Sequence, residues 1–162
     1  MSRLDSFIRR LEAQRACLDW AARLVAELPG PVLEVGLGNG RTYDHLRARL
    51  PGRAIFAFDR QIAAHPDCIP PAGFQVIGDF RETLPDAARR IGEPAALIHA
   101  DLGTGDDAAS AALAQSIAPI LVGLLSPGGV LTGDQEMADD RLAPLALPPG
   151  VAAGRYRLYR RR

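Results

Sequence analysis

The 162-residue chain is 48% apolar and 23% charged, with a formal net charge of zero. That length and apolar content fit one folded domain with a buried core and exclude wholesale disorder, and the charge balance gives no electrostatic reason to expect nucleic acid or an anionic membrane as partner. All 19 basic side chains are arginine, which excludes a lysine Schiff base and the GxxxxGK[ST] phosphate loop.

Residues 2–28 read as one long helix or two collinear ones. At roughly 100° per residue, Leu4, Phe7, Ile8, Leu11, Leu18, Ala22, Val25 and Leu28 form one apolar stripe. Cys17, Trp20 and Leu24 form a second apolar patch on the far side. A helix that is apolar on two sides usually has two partners, here the domain and either a second subunit or a substrate. Trp20 is assigned to the subunit interface, so a homo-oligomer joined through this helix is the expectation. Pro29-Gly30-Pro31 stops the helix. The segment MSRLDSFIRRLEAQ is too charged for a signal peptide. Cys17 and Cys68 lie far apart, without metal-ligand spacing, and read as free thiols. No apolar run reads as reaching membrane length; the richest, IAPILVGLL, is short and carries Pro119. These features make a soluble, cytoplasmic protein the expectation.

The chain then alternates between strand and helix. PVLEV (31–35) reads as a strand and RTYDHLRARL (41–50) as a helix stopped by Pro51-Gly52. RAIFAFD (53–59) reads as a strand. Residues 60–72, rich in proline, read as a loop with at most one helical turn. FQVIGD (74–79) reads as a strand, FRETLPDAARRIG (80–92) as a helix containing Pro85, and AALIHAD (95–101) as a strand. DDAASAALAQSIAPILVGLL (106–125) is apolar nearly all round and reads as a buried helix kinked or restarted at Pro119. SPGG reads as a turn, VLTGD (130–134) as a strand, and RYRLYRR (155–161) as an edge strand with a charged outer face rather than a nucleic-acid surface. Strands and helices at this spacing imply right-handed crossovers. The fold class is α/β: a Rossmann-like, doubly wound, mostly parallel sheet of six to seven strands, with helices on both faces and an N-terminal helix. The expected organisation is a single domain over 1–162, divided into the N-terminal helix (1–29), a ligand-binding core (30–134) and C-terminal strands (135–162). The proline-rich stretch after Gln135 predicts an abbreviated closing hairpin.

In such a sheet, ligands sit beyond the carboxyl ends of the strands, where strand order reverses. The first strand ends at Val35, and three glycines follow at once. Glycine lets the backbone turn tightly and lets a ligand approach with no Cβ in the way, and the next helix offers unpaired N–H groups. The spacing departs from the dinucleotide fingerprint GxGxxG, because residue 41 is Arg. The motif present is ExGxGxG, from Glu34 to Gly40. Glu34 lies on a buried strand, where an unpaired carboxylate is costly.

This motif, followed by Asp59 at the end of the second strand, IGDF (77–80) at the end of the third and LLSPGGVL (124–131) before the fifth, resembles the class I S-adenosylmethionine-dependent methyltransferases over roughly residues 30–134. The resemblance implies S-adenosylmethionine as cofactor. It assigns the glycine loop (Glu34, Gly36, Leu37, Gly38, Asn39, Gly40) and the helix start (Thr42, Tyr43) to the methionyl end, Asp59 with Arg60 to the ribose, and Asp79 with Phe80 to the adenine. Asp101 and Asp134, at the ends of strands four and five, are the candidate catalytic acids, with Asp101 also beside the cofactor. Metal-dependent catechol-type O-methyltransferases carry similar acids, and Asp101, Asp134 and Gln135 occupy comparable places; the lysine those enzymes use is missing, and no metal is assigned. The [DN]PP[YF] motif of amino-methylating enzymes is replaced by DLGT, and Cys68 follows Asp67 rather than a proline. His99 reads as a satisfied core histidine, His45 as structural and His65 as exposed. The expected activity is methyl transfer to a small-molecule acceptor, with no nucleic-acid or membrane partner. Two alternatives stay open: an NAD(P)-binding oxidoreductase, for which Arg60 would suit a 2′-phosphate, and a non-catalytic module that binds S-adenosylmethionine.

Overall fold

The computed structural model describes residues 2–162. The first helix, α1 (Arg3–Leu24), starts at a reciprocal cap: the Ser2 hydroxyl accepts from the Asp5 amide, and the Asp5 carboxylate accepts from the Ser2 amide, each at 3.0 Å. Two otherwise unpaired donors are satisfied this way. The chain then runs through β1 (Val32–Val35), α2 (Arg41–Arg49), β2 (Ile55–Asp59), β3 (Gln75–Ile77), α3 (Phe80–Thr83), α4 (Ala87–Ile91), β4 (Ala95–Ala100), α5 (Asp107–Leu124), β5 (Leu125–Gly133), β6 (Leu142–Pro144) and β7 (Arg157–Arg161). Pro85 divides the expected helix over 80–92 into α3 and α4, because it has no N–H to give and its ring clashes with the preceding turn. The loop after β2 holds two 3-10 turns, at Pro66–Cys68 and Ala72–Phe74, one more than expected.

The strands form one seven-stranded sheet in the order β3-β2-β1-β4-β5-β7-β6. The pairs from β3 to β5 are parallel, and β7 runs antiparallel to both β5 and β6. β7 is therefore an inner strand, contrary to the edge position expected for RYRLYRR. The edge is β6, only three residues long and ended by Pro144, a short proline-bearing strand of the kind that blunts an open sheet edge. β5 starts earlier than expected: Leu125 pairs with Ala95 and Val130 with Leu97, so the SPGG segment bulges out within the strand.

Alternation along the strands divides the core in two. Leu33, Val35, Phe58, Ile98 and Leu131 pack under α3, α4 and α5. Val32, Ala57, Leu97, Val130 and Leu158 pack under α1 and α2. Helix α5 is long and apolar enough to cross a bilayer by length and composition, which corrects the expectation that no segment reaches that length. Its Leu113, Ala114, Ile117, Ala118, Leu121 and Val122 are instead buried against the sheet.

Helix α1 outruns the sheet. Its 22 residues span about 33 Å at the usual helical rise, whereas the six residues of β4 span about 20 Å. Its second half supplies Cys17, Leu18, Ala21 and Ala22 to the core, together with Val25 just beyond it. Cys17 thus faces the domain rather than a second partner. Its first turns project past the carboxyl ends of the strands, where Leu4, Phe7 and Ile8 are 66%, 49% and 44% exposed. The apolar stripe, which Gln14 and Arg15 interrupt in the sequence, is therefore covered mainly along its later turns. Trp20 is half-buried, with the Arg23 guanidinium 5.6 Å from its ring centroid.

Candidate active site

Strand order reverses between β1 and β4, and a cavity of about 390 Å³ opens at their carboxyl ends. Gly36, Leu37, Gly38, Asn39 and Thr42 line it from the glycine loop and α2, Asp59 and Arg60 from the end of β2, and Phe80 from α3. Asp101 lines it from the end of β4, and Phe7, Arg10, Leu11 and Gln14 form the wall given by α1. The α1 wall, together with Arg41, Leu102, Gly103, Thr104 and Leu113, escaped the sequence reading. In the sequence Leu11 reads only as part of the helix stripe.

The three glycines have different causes. At Gly36 (φ +97°) a Cβ would stand 2.1 Å from the Asp101 carbonyl oxygen, so β1 and the β4 exit can approach only across a bare backbone. At Gly40 (φ +83°) a Cβ would meet the Cβ of Cys68 at 2.6 Å, so this glycine seats the loop after β2. At Gly38 (φ +51°) nothing lies within 4 Å. Two glycines therefore serve internal packing, and the middle one leaves open space at the cavity.

Asp59 ties the loop to the cavity floor: its carboxylate accepts from the Gly38 amide at 2.9 Å and the Arg60 amide at 2.7 Å. Asp79 caps α3, accepting from the Arg81 amide at 2.9 Å, and receives the Arg60 guanidinium at 3.2 Å. The Arg81 amide, with help from Arg60, holds its carboxyl below the usual carboxylate range. Asp79, Gly40, Tyr43, Glu34 and Asp134 are not among the cavity walls. Tyr43 is buried in the core between α1 and α2, with the Arg47 guanidinium 5.6 Å from its ring centroid. Its side chain is packing material rather than a hand reaching outward.

Asp134 is committed elsewhere. One carboxylate oxygen accepts from the Leu102 amide at 3.0 Å and the other from the Gln135 side chain at 3.1 Å. These bonds brace the β4–α5 loop. Gln135 turns a donor toward Asp134 and not an oxygen toward a shared cation. Among the described residues no cluster of three or more metal-ligating His, Cys, Asp or Glu side chains occurs.

Glu34 and His99 are fully buried. The His99 Nδ1 lies 2.8 Å from the Glu34 carboxylate, whose other oxygen accepts from the Thr42 hydroxyl. The His99 Nε2 contacts the Tyr156 hydroxyl. Burial alone would lower the histidine pKa, but the adjacent Glu34 carboxylate outweighs it and raises it. Burial, reinforced by the Asp101 charge, raises the Tyr156 phenol well above its usual value, so it remains a neutral hydroxyl. Gln14 donates to that hydroxyl at 3.3 Å and to the Asp101 carboxylate at 3.0 Å, and Arg10 donates to the other Asp101 oxygen at 3.1 Å. His45, on α2, contacts Asp19 of α1 at 2.9 Å, and His65 is exposed in the loop after β2. Among the described residues no buried side-chain nitrogen or oxygen lacks a hydrogen-bond partner.

A seven-stranded, mostly parallel sheet with one antiparallel inner strand, a glycine loop after β1 and a cavity at the switch point define a Rossmann-like methyltransferase fold. Sequence comparison gives the particular family: the model of the S-adenosyl-L-methionine methyltransferases matches residues 1–161, and the chain belongs to that family. It is similar to the S-adenosyl-L-methionine methyltransferase of Silicibacter pomeroyi DSS-3, with 46% identity, a TM-score of 0.94, and 100% of this chain and 99% of that one covered. More distant likenesses show the fold alone. TrmN from Thermus thermophilus shares 17% identity at a TM-score of 0.63, with 90% of this chain and 48% of that one covered. The plantazolicin methyltransferase BpumL in complex with SAH shares 14% identity at a TM-score of 0.55, with 80% and 49% covered. No curated protein matches the chain. The protein is thus an S-adenosylmethionine-dependent methyltransferase.

Proposed function

We propose that this methyltransferase acts on a small molecule admitted between the cofactor and α1. The cofactor supplies an electrophilic methyl group on a sulfonium. The donor set fits it: Asp59 offers a carboxylate to vicinal ribose hydroxyls, Gly38 leaves room for close approach, and Leu37, Phe80 and Leu102 offer apolar walls. Thr42 and the α2 N-terminus, whose Gly40 cap has no side chain, offer polar groups for the methionyl end. In this reading Asp79 fixes Arg60 and the start of α3 beside the adenine side, and Glu34 holds the glycine loop through Thr42.

The observation that carries the acceptor reading is the α1 wall. Phe7, Arg10, Leu11 and Gln14 line the cavity from α1, and with cofactor and acceptor in place they would help keep water from a displacement that needs alignment and a dry site. Asp101, whose side chain is 27% exposed there, is the carboxylate that accepts the hydrogen of the incoming nucleophile. Asp134 serves by holding the loop after Asp101.

The test is turnover with fractionated cell extract. The protein is incubated with S-adenosylmethionine and either the ultrafiltered small-molecule fraction or the retained macromolecules, and S-adenosylhomocysteine is quantified. Product with the small-molecule fraction is the expected result. Product with the macromolecular fraction alone overturns the acceptor class.

A further inference from the structure

The polar contacts beneath α1 form one unbroken path. Thr42 donates to Glu34, Glu34 contacts His99, His99 contacts Tyr156, and Gln14 donates both to Tyr156 and to Asp101. The path joins α2, β1, β4, the residue just before β7 and α1, and returns to the exit of β4. Its middle members, His99 and Tyr156, are 0% and 1% exposed and do not line the cavity, whereas both its ends do.

Two features set this path apart from ordinary core polarity. The Gln14 side-chain nitrogen has two hydrogens, and both are used, one toward the cavity carboxylate at 3.0 Å and one toward the buried phenol at 3.3 Å. Moving either acceptor therefore disturbs the other bond. Stability alone also does not call for such a path, since buried polar networks replaced by well-packed apolar groups are often neutral or more stable. What a satisfied network adds is one fixed arrangement of its members.

We propose that Gln14, Tyr156 and His99 are positioning residues: they hold Asp101 and the Glu34–Thr42 end of the glycine loop in one register, so that filling the cofactor site and seating α1 over the acceptor side are coupled. The proposal rests on the reading of this cavity as the S-adenosylmethionine site. Tyr156 is its informative member, because neither it nor the strand that follows it lines the cavity.

The experiment uses the full chain and S-adenosylhomocysteine as probe. Calorimetric Kd and ligand-free Tm are measured for wild type, Tyr156→Phe, His99→Gln and His99→Leu. Loss of the phenol hydroxyl is expected to weaken S-adenosylhomocysteine binding about tenfold, the scale of one hydrogen bond's contribution. His99→Gln, which keeps polar atoms, is expected to bind more tightly than His99→Leu. In parallel, the His99 ring nitrogens of ¹⁵N-labelled wild type are expected to shift in the NMR spectrum on saturation. The NMR arm needs no variant to fold. A Tyr156→Phe protein with lowered Tm but a Kd within about twofold of wild type overturns the coupling, as do His99 nitrogens that do not respond to ligand. Wild type that binds no S-adenosylhomocysteine overturns the cofactor-site reading itself, which is a different result from normal binding that ignores Tyr156.

Discussion

Glu34 and His99 face each other across the parallel strands β1 and β4, paired in register, with the carboxylate 2.8 Å from the imidazole Nδ1 and neither side chain exposed. A carboxylate on a buried strand needs a partner, and the alternation of Leu97, His99 and Asp101 puts the imidazole on the same side of the sheet as Glu34. Two residues past His99 and just beyond the end of β4, Asp101 reaches the cavity. The imidazole of the buried pair and the cavity acid are thus alternate residues of one chain segment, at and just past the end of β4.

This pair gives a pH prediction with a definite sign. Glu34 raises the His99 pKa in the folded protein above its ordinary value of 6.5. A raised folded pKa contributes stability that is fully present below the unfolded value and is lost as pH rises through the folded one. The stability difference between wild type and His99→Gln, from urea unfolding, should be larger at pH 6 than at pH 9. A difference that grows toward alkaline pH would mean that burial dominates and the imidazole is held neutral.

The glycine loop predicts two opposite phenotypes. Gly36→Ala forces a methyl into the Asp101 carbonyl oxygen at 2.1 Å while holding φ at +97°. Overpacking and backbone strain together should cost about 3 kcal/mol or more. Gly38→Ala meets no atom within 4 Å and should cost only the left-handed penalty of about 1–2 kcal/mol, yet its methyl would stand in the cavity proposed for the cofactor. Urea unfolding and S-adenosylhomocysteine titration separate the two: Gly36→Ala should fail chiefly in stability, and Gly38→Ala should fold and lose affinity by at least about tenfold.

The alternation that specifies the doubly wound sheet was legible because each parallel strand buried on both faces reads as a short apolar run, and the glycine loop was legible because φ above zero demands glycine. What escaped the sequence was pairing at a distance. Gln14 reads, with Arg15, as an interruption of an apolar stripe and Arg10 carries no signal at all, since nothing local shows that the first turns of α1 overhang the strand ends and meet Asp101. Tyr156 reads as one aromatic in a basic tail until β7 inserts between β5 and β6. The cost of burying Glu34 was the one sequence signal that required a hidden partner, and His99, read as a satisfied core residue, proves to be that partner. Tyr43 misleads for the converse reason: it stands at a helix start where side chains often reach ligands, but its ring faces the α1 side of the core.

The two thiols should differ sharply in reactivity. Cys17 is fully buried, and burial pushes its pKa up to about 12, so almost no thiolate exists at pH 8. Cys68 is half-buried in the 3-10 turn after β2. Native protein treated with a disulfide reagent at pH 8 should titrate one thiol and denatured protein two. Cys68→Ser should leave the native protein unreactive over the same period. Reaction of that variant at the wild-type rate would show that α1 opens from the sheet on the timescale of the assay.

Asp59 offers the most direct test of the cofactor reading. Its carboxylate holds the Gly38 and Arg60 amides at 2.9 and 2.7 Å and faces the cavity, so Asp59→Ala removes both the loop tether and the acceptor for ribose hydroxyls. Wild type at about 100 times Kd should gain about 2.7 kcal/mol from S-adenosylmethionine or S-adenosylhomocysteine, seen as a rise in Tm, with NAD, NADP and ATP as controls. Asp59→Ala should lose that rise. Asp59→Asn keeps an oxygen for one amide but places a donor against the other partner, so it should show a response between the two. If Asp59→Ala answers S-adenosylhomocysteine as wild type does, the ribose assignment fails, and the acid is then only the brace that closes the loop between β1 and α2.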